Sequence, residues 1–210
     1  FKIKQEIKNN TSSKINLYPY SQITRNKKPD DVMGFYILHE GFIGVFDGEL
    51  KEDDYDDIKD KKIVRNSDNG WLGITDKYWV TAIVPPKDKN FKSTFLYKDN
   101  YRANYILNSP VTINPKSSSD NEVRLFVSAK EVETVDGYAE SENIEKFDLT
   151  IDWGWFYFFT KPLFFVIDYL FKLSGNFGIA IVLITLAIRI IFFPLANYSF
   201  RSMAKMKAVQ

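Results

Sequence analysis

The sequence predicts a β-plus-α membrane protein fragment: an antiparallel β-sandwich domain, then an interfacial amphipathic helix, then a transmembrane helix. Three observations carry that prediction. Phe177–Phe200 (FGIAIVLITLAIRIIFFPLANYSF) holds fourteen Ile, Leu, Val and Phe residues and one charge, Arg189. Phe1 to about Lys130 is a series of short β-rich runs broken by Asn, Asp, Gly and Pro. Between them, Trp153–Leu173 is mostly apolar but carries charges at helical spacing.

The chain opens without Met inside a strand-like run, FKIKQEIKNN, which predicts a piece of a longer protein. The runs SKINLYPYSQI, GFYILHEGFIGVF, KKIVR, KYWVTAIVPP and EVRLFVSAK follow. Their β-branched and aromatic residues, alternating and punctuated by turn formers, read as antiparallel strands of a sandwich. Gly41, Gly44 and Gly48 suit hairpins and close strand approaches. Asn9-Asn10-Thr11-Ser12 reads as a polar turn, Lys87–Asn90 and NPKSSSDNE (114–122) as exposed loops. The acidic run Asp47–Asp60 places eight carboxylates in fourteen residues; it matches no EF-hand spacing and reads as a solvated loop. From Lys130 to Phe147 a polar helix is expected, broken near Gly137. These elements make up a domain over residues 1–147.

Residues 148–176 form the next unit. Lys161, Asp168 and Lys172 lie at offsets of 7 and 4, within about 40° of one another around a helix. A narrow charged stripe with Trp153, Trp155 and Tyr157 at one end describes a helix lying in the membrane interface. A second span, pairing with the following one as a hairpin, is the competing arrangement. Ser174-Gly175-Asn176 is the turn, Gly175 stopping one helix and Asn176 capping the next.

Residues 177–198 are the span. The 24-residue apolar segment is about 36 Å long as a helix, against a hydrocarbon core of roughly 30 Å. Its apolar side chains favour insertion by about 4–8 kcal/mol, and a central Arg opposes it by about 2.5–3.5. Gly178, Val182, Thr185, Arg189 and Ala196 share one face, whereas Ile181, Ile184 and Ile191 fall largely elsewhere. Two arrangements fit such an arginine: a protein-lined or watery cavity, or snorkelling to the nearer interface. Residues 199–210 read as the start of a cytoplasmic amphipathic helix, with Met203 and Met206 as an adaptable contact surface or basic residues resting on anionic lipid.

Charge sets an orientation. Arg189, Arg201, Lys205 and Lys207 follow position 176 with no acidic residue, while residues 1–176 carry 24 basic and 27 acidic. That asymmetry puts the C-terminal end in the cytoplasm and the large domain outside, which requires an earlier signal or anchor. With no cysteine there are no disulfides, thiolate nucleophiles or Cys-ligated zinc. His39 is the one histidine, so a His-based metal site or triad lacks material. Walker, nucleophile-elbow and dinucleotide motifs are absent, and no carboxylate pair stands out.

Several stretches are similar to one family. IGVFDGELKE (43–52), GWLGITDKYWVTAIVP (70–85), RLFVSAKE (124–131), DWGWFYFFTKPLF (152–164) and residues 175–210 all resemble the bacterial YidC membrane protein insertases. NLYPYSQITR (16–25) looks like the same family's early periplasmic strands. The resemblance covers nearly the whole chain, and its last 60 residues are the specific part. It implies a periplasmic β-supersandwich, an amphipathic helix on the periplasmic membrane surface, and the second transmembrane helix. Arg189 matches the family's groove arginine, with Thr185 one turn before it. The resemblance implies an insertase and chaperone of the cell inner membrane, multi-pass in full, that is not an enzyme and takes no cofactor. Implied partners are nascent membrane proteins as substrates, the Sec translocon, the ribosome and the lipid bilayer, with no nucleic acid. A rival reading is a membrane-tethered carbohydrate-binding or epimerase-like β-sandwich, whose chemistry would have to rest on His39. A third is a purely structural anchor for a partner.

Overall fold

In a computed structural model, residues 1–30, 32 and 38–209 are described, with backbone alone at 201, 202 and 204–209. The chain divides into two compact units, Phe1–Asp152 and Trp153–Gln210. In the first unit come β1 (Lys2–Lys8), β2 (Ile15–Leu17), β3 (Tyr20–Arg25), β4 (Gly41–Phe46) and β5 (Glu49–Asp54). Helix α1 (Tyr55–Asp60) precedes β6 (Ile63–Ser67), β7 (Gly70–Thr75), β8 (Trp79–Val84), β9 (Phe91–Lys98) and β10 (Asn100–Leu107). β11 (Val111–Ile113), β12 (Ser118–Ala129), α2 (Val132–Ser141) and a 3-10 turn (Phe147–Thr150) complete it. The second unit is α3 (Tyr157–Ser174) and α4 (Phe177–Val209).

The strands pair antiparallel into a six-stranded sheet, β1-β12-β8-β7-β4-β5, and a four-stranded sheet, β3-β10-β9-β6. A short β2–β11 pair stands apart. Phe42, Phe46, Leu72, Ile74 and Ile83 of the large sheet pack against Phe91, Phe95, Tyr101, Tyr105 and Leu107 of the small one. Alternation sends the intervening residues, Ile43, Val45, Trp71, Val80 and Phe126, to the opposite face of the large sheet. There Val135, Ile144 and Phe147 cover them, and the Trp71 indole N–H donates to the Glu145 carbonyl at 3.2 Å. The domain is therefore three layers deep at β4 and β7, whose residues are all buried. Close approach explains one glycine: a Cβ on Gly44 would stand 2.7 Å from the Trp71 carbonyl oxygen.

Several expectations need correction. The acidic run is not a loop: it is the β4–β5 hairpin turn, β5 and α1. Seven of its eight carboxylates stay exposed to solvent as expected, while Asp53 is drawn inside by a two-pronged pair with Arg65 (2.7 and 2.8 Å), and Asp47 accepts from Ser67 and the Asp68 and Asn69 amides. The second half of NPKSSSDNE is strand, because Ser118–Glu122 pair with β1. Helix α2 runs through Gly137 unbroken and stops after Ser141; Val132 and Val135 bury one side of it. The run GFYILHEGFIGVF forms strand from Gly41, and its residues 34–37 lie outside the described residues. The β9–β10 hairpin, FKSTFLYKDNYRANYIL, is not among the runs picked out by alternation, yet it forms the centre of the small sheet.

Asn9 also exceeds its expected role in a polar turn. It is 1 % exposed, and its Nδ2 donates to the carbonyls of Ser13 (2.8 Å), Ile113 (3.0 Å) and Asn114 (3.1 Å). Its Oδ1 accepts from the Thr11 amide and hydroxyl. One side chain thus clamps the turn after β1 to the end of β11.

Candidate functional site

The membrane-facing part starts at the turn between α3 and α4. The Gly175 amide donates to the Phe171 carbonyl at 2.8 Å, with Gly175 at φ 66, a conformation that a Cβ disfavours. Asn176 Oδ1 then accepts from the amides of Gly178 (2.9 Å) and Ile179 (3.3 Å), capping α4. Both roles match the expectation from the Ser-Gly-Asn turn. Helix α3 starts at Tyr157 rather than Trp153: Gly154 sits at φ 71, and the Thr160 hydroxyl donates back to the Trp153 carbonyl at 2.8 Å. Helix α4 is continuous through Pro194 to Val209, so the expected cytoplasmic segment is the same helix prolonged.

These helices are apolar and almost uncovered. No residue of α3 is buried, and Trp155 and Phe158 are 94 % and 76 % exposed. Phe177–Phe200 is long and apolar enough to cross a membrane, with 6 % of its most apolar window buried. A contiguous apolar surface of this extent does not persist in water, so lipid is its complement. On α3, Lys172 Nζ pairs with Asp168 Oδ2 at 2.8 Å, one turn apart. Lys161 Nζ stands 5.7 Å from the Trp153 ring centre and 5.8 Å from that of Tyr157. The three charges of the stripe thus have local company, and at the aromatic end two ring faces lie beside the Lys161 ammonium.

On α4 the α3-facing side is Ala180, which is fully buried, with Ile184 and Ile188 half-buried. Gly178, Val182, Thr185 and Arg189 are all exposed. At 100° per residue their face is centred about 130° from the Ala180–Ile188 face. Arg189 therefore points away from α3. The Thr185 hydroxyl donates to the Ile181 carbonyl at 2.7 Å, which satisfies its donor within the helix.

His39, on which the epimerase-like reading would rest, sits in the first unit. Its backbone N–H donates to Asp152 Oδ2 (2.9 Å), and its Nε2 lies 2.9 Å from the Phe42 carbonyl oxygen. Among the described residues no group of three or more His, Asp or Glu is placed to hold a metal ion.

Residues 1–166 match the family described as YidC periplasmic domain, and residues 169–210 match the family described as 60Kd inner membrane protein. The chain belongs to the YidC family. It is 54 % identical to the membrane protein insertase YidC of Pelagibacter ubique over 207 residues, 99 % of this chain and 37 % of that protein. It is 44 % identical to YidC of Brucella suis biovar 1 over 217 residues, 100 % of this chain and 35 % of that protein. With YidC of Methylorubrum extorquens it shares 42 % identity over 226 residues, 100 % of this chain and 36 % of the relative. The chain thus spans about a third of the length of the curated relatives it matches. Both matched descriptions agree with a sandwich domain followed by membrane helices, and the YidC family is one of inner membrane proteins.

Sequence reasoning found the Arg189 face because a charge inside an apolar run is conspicuous. It missed the ion pair of Asp53 with Arg65 and the Asn9 clamp. Arg65 lies twelve residues from Asp53, and the Ile113 and Asn114 carbonyls that complete the clamp lie more than a hundred residues from Asn9.

Proposed function

We propose that this chain is the periplasmic domain, interfacial helix and first groove-lining span of a membrane protein insertase. In this reading residues 1–147 are periplasmic, 148–176 form the interfacial helix and turn, 177–198 the transmembrane helix, and 199–210 the start of a cytoplasmic hairpin. The observation that carries the reading is Arg189, twelve residues into a 24-residue apolar segment, on an exposed face with Gly178, Val182 and Thr185. Against lipid a central guanidinium costs about 2.5–3.5 kcal/mol on insertion scales. Further helices of a multi-pass protein remove that cost by enclosing the face in a wet groove, open to the cytoplasm and closed to the outside.

The mechanism needs no covalent chemistry. Arg189 keeps water within the membrane and pairs transiently with acidic residues of an incoming chain. An unpaired carboxylate faces the same desolvation barrier as the arginine, so pairing lowers both. The apolar part of the substrate meanwhile slides along the apolar helix faces into lipid. The three cations beyond the span, Arg201, Lys205 and Lys207, with no acidic residue beside them, favour a cytoplasmic C-terminal end, where the ribosome presents nascent chains. The Sec translocon is the membrane partner that this reading implies. Lys161, Asp168 and Lys172 hold the interfacial helix at the headgroup level.

Arg189→Ala in the full-length protein is expected to impair insertion of a substrate whose translocated flank is acidic, while Arg189→Lys retains most of it. Unimpaired insertion of that substrate by Arg189→Ala refutes the groove role. Free tolerance of changes at 189 together with strong dependence on residues 1–147 would favour the structural-anchor reading.

A further inference from the structure

The outer face of the four-stranded sheet carries charge of one sign. Ile23, Ile63, Phe95 and Ala103, one from each strand, turn toward the large sheet. Alternation therefore turns the even-numbered residues of β3, β6, β9 and β10 outward. Among them are Lys92, Lys98 and Arg102, and no Asp or Glu. Arg102 stands opposite Leu96, and Lys62, just before β6, extends the same row on the other side. Lys98 is the next outward residue beyond Leu96. At about 4.8 Å between strands and 3.3 Å per residue, Lys62, Lys98 and Arg102 surround Leu96 at backbone separations of about 8–10 Å. Lys62 and Lys98 are exposed, and Arg102 Nε donates to Asn100 Oδ1 at 2.6 Å. Among the described residues none of the three enters an ion pair. The other arginines of the domain, Arg25, Arg65 and Arg124, all do. The face also runs against its surroundings, since residues 1–152 hold 22 basic and 26 acidic residues.

Three cations within about one Debye length of one another sum their fields into a single positive patch, which calls for an anionic complement. We propose that this patch receives acidic stretches of translocated polypeptide. In an extended chain, carboxylates two or three residues apart are separated by about 7–10 Å, the spacing of the three cations. An apolar residue between them meets Leu96 and, two positions beyond Lys62, Val64, which is 46 % exposed. The arginine adds a planar fork that accommodates a carboxylate. The chain leaves the domain from the opposite layer, where Phe147 and Ile151 pack against the large sheet, so the patch does not lie beside the exit to the membrane helices. The inference rests on the Arg189 reading for the source of its ligand: acidic flanks that pass the groove emerge on the side where residues 1–147 are placed. A flank held there slides back less readily. Binding is read without insertion, so the patch and the groove can each fail alone.

The test uses the full-length protein in nanodiscs of neutral phosphatidylcholine and saturation-transfer NMR with the blocked peptide acetyl-Asp-Leu-Glu-Ser-Asp-Leu-Glu-amide. Saturable binding with a Kd of about 0.1–1 mM is expected at about 20 mM salt, weakening about tenfold by roughly 200 mM. The uncharged analogue, acetyl-Asn-Leu-Gln-Ser-Asn-Leu-Gln-amide, should not saturate. Exposed ion pairs contribute about twofold to fivefold each, so reversing all three charges (Lys62→Glu, Lys98→Glu, Arg102→Glu) should weaken binding at least tenfold. Lys62→Glu with Lys98→Glu alone, both at exposed positions, decides the matter if the triple variant does not fold. Reversing three exposed lysines around β1, β2 and β11 (Lys8→Glu, Lys14→Glu, Lys116→Glu) changes net charge equally and should cost less than about threefold. Four results overturn the proposal: no saturation up to roughly 10 mM peptide at low salt; equal weakening by the two triple reversals; equal binding of the uncharged analogue; or no peptide binding together with face-dependent binding of phosphatidylglycerol vesicles, which would make a lipid surface the occupant.

Discussion

Replacing Asp53 by Ala removes the ion pair that joins the two sheets on the β5–β6 side of the sandwich. Asp53 belongs to the six-stranded sheet and Arg65 to the four-stranded one, and two bonds of 2.7 and 2.8 Å link them. Their side chains are 10 % and 21 % exposed. The guanidinium also stands 5.6 Å from the Phe46 ring centre and 5.7 Å from that of Phe95. Breaking a fully buried pair costs about 3–5 kcal/mol, most of it from the stranded charge. In Asp53→Ala the stranded Arg65 keeps some water and both ring faces, so the expected loss is about 2 kcal/mol, or roughly 4–8 °C in Tm. In Arg65→Ala the stranded carboxylate is the more buried partner, and two cation–π contacts of about 0.5–1 kcal/mol each go as well. The expected loss there is about 3–4 kcal/mol. The double variant should lose about 1–2 kcal/mol less than the sum of the two. Urea unfolding of the protein in detergent, followed by tryptophan fluorescence of the buried Trp71, measures all three. A cost for Asp53→Ala below about 0.5 kcal/mol, or strict additivity in the double variant, would refute the reasoning.

Asn9→Ala should cost about 2–3 kcal/mol, because three carbonyls and a hydroxyl-amide pair, most of them half-buried, lose the buried side chain that bonds them. Asn9→Asp should be at least as damaging, since it sets a carboxylate against those carbonyls; thermal unfolding of the two variants gives the order. Tyr55 is held protonated by burial, with Asp76, to which its hydroxyl donates at 3.1 Å, adding to the effect. Its folded pKa lies above the unfolded value of about 10, so its contribution is complete below pH 10 and lost as pH rises beyond it. Tyr55→Phe should therefore lose less stability than the parent between about pH 10 and 11, and parallel curves in alkaline melts would count against this.

What can be read from the residues in order is whatever depends on near neighbours. The span from Phe177 is such a case, because hydropathy over 24 residues is a sum that no packing partner alters. The Gly175 stop and Asn176 cap are another, since both bond to groups within four residues. The location of Arg189 and the company of Gly178, Val182 and Thr185 follow from helical spacing alone. Strands with β-branched and aromatic alternation were legible for the same reason. The β9–β10 hairpin escaped notice: Phe91, Phe95, Tyr101 and Tyr105 face inward only in company with the large sheet.

The rest was settled by tertiary structure, for one physical reason: the deciding partner is far along the chain. Glu49–Asp54 looks solvated when its carboxylates are counted, yet pairing with β4 and an arginine twelve residues away draws Asp53 inside. Ser118–Glu122 has loop composition and becomes strand because β1, more than a hundred residues earlier, supplies its ladder. Gly137 weakens a helix by propensity, and Val135 and Tyr138 packing against Phe126 and Phe147 outweighs it. Local sequence sets where this protein meets the membrane; contacts across the sandwich decide which of its polar residues become structural.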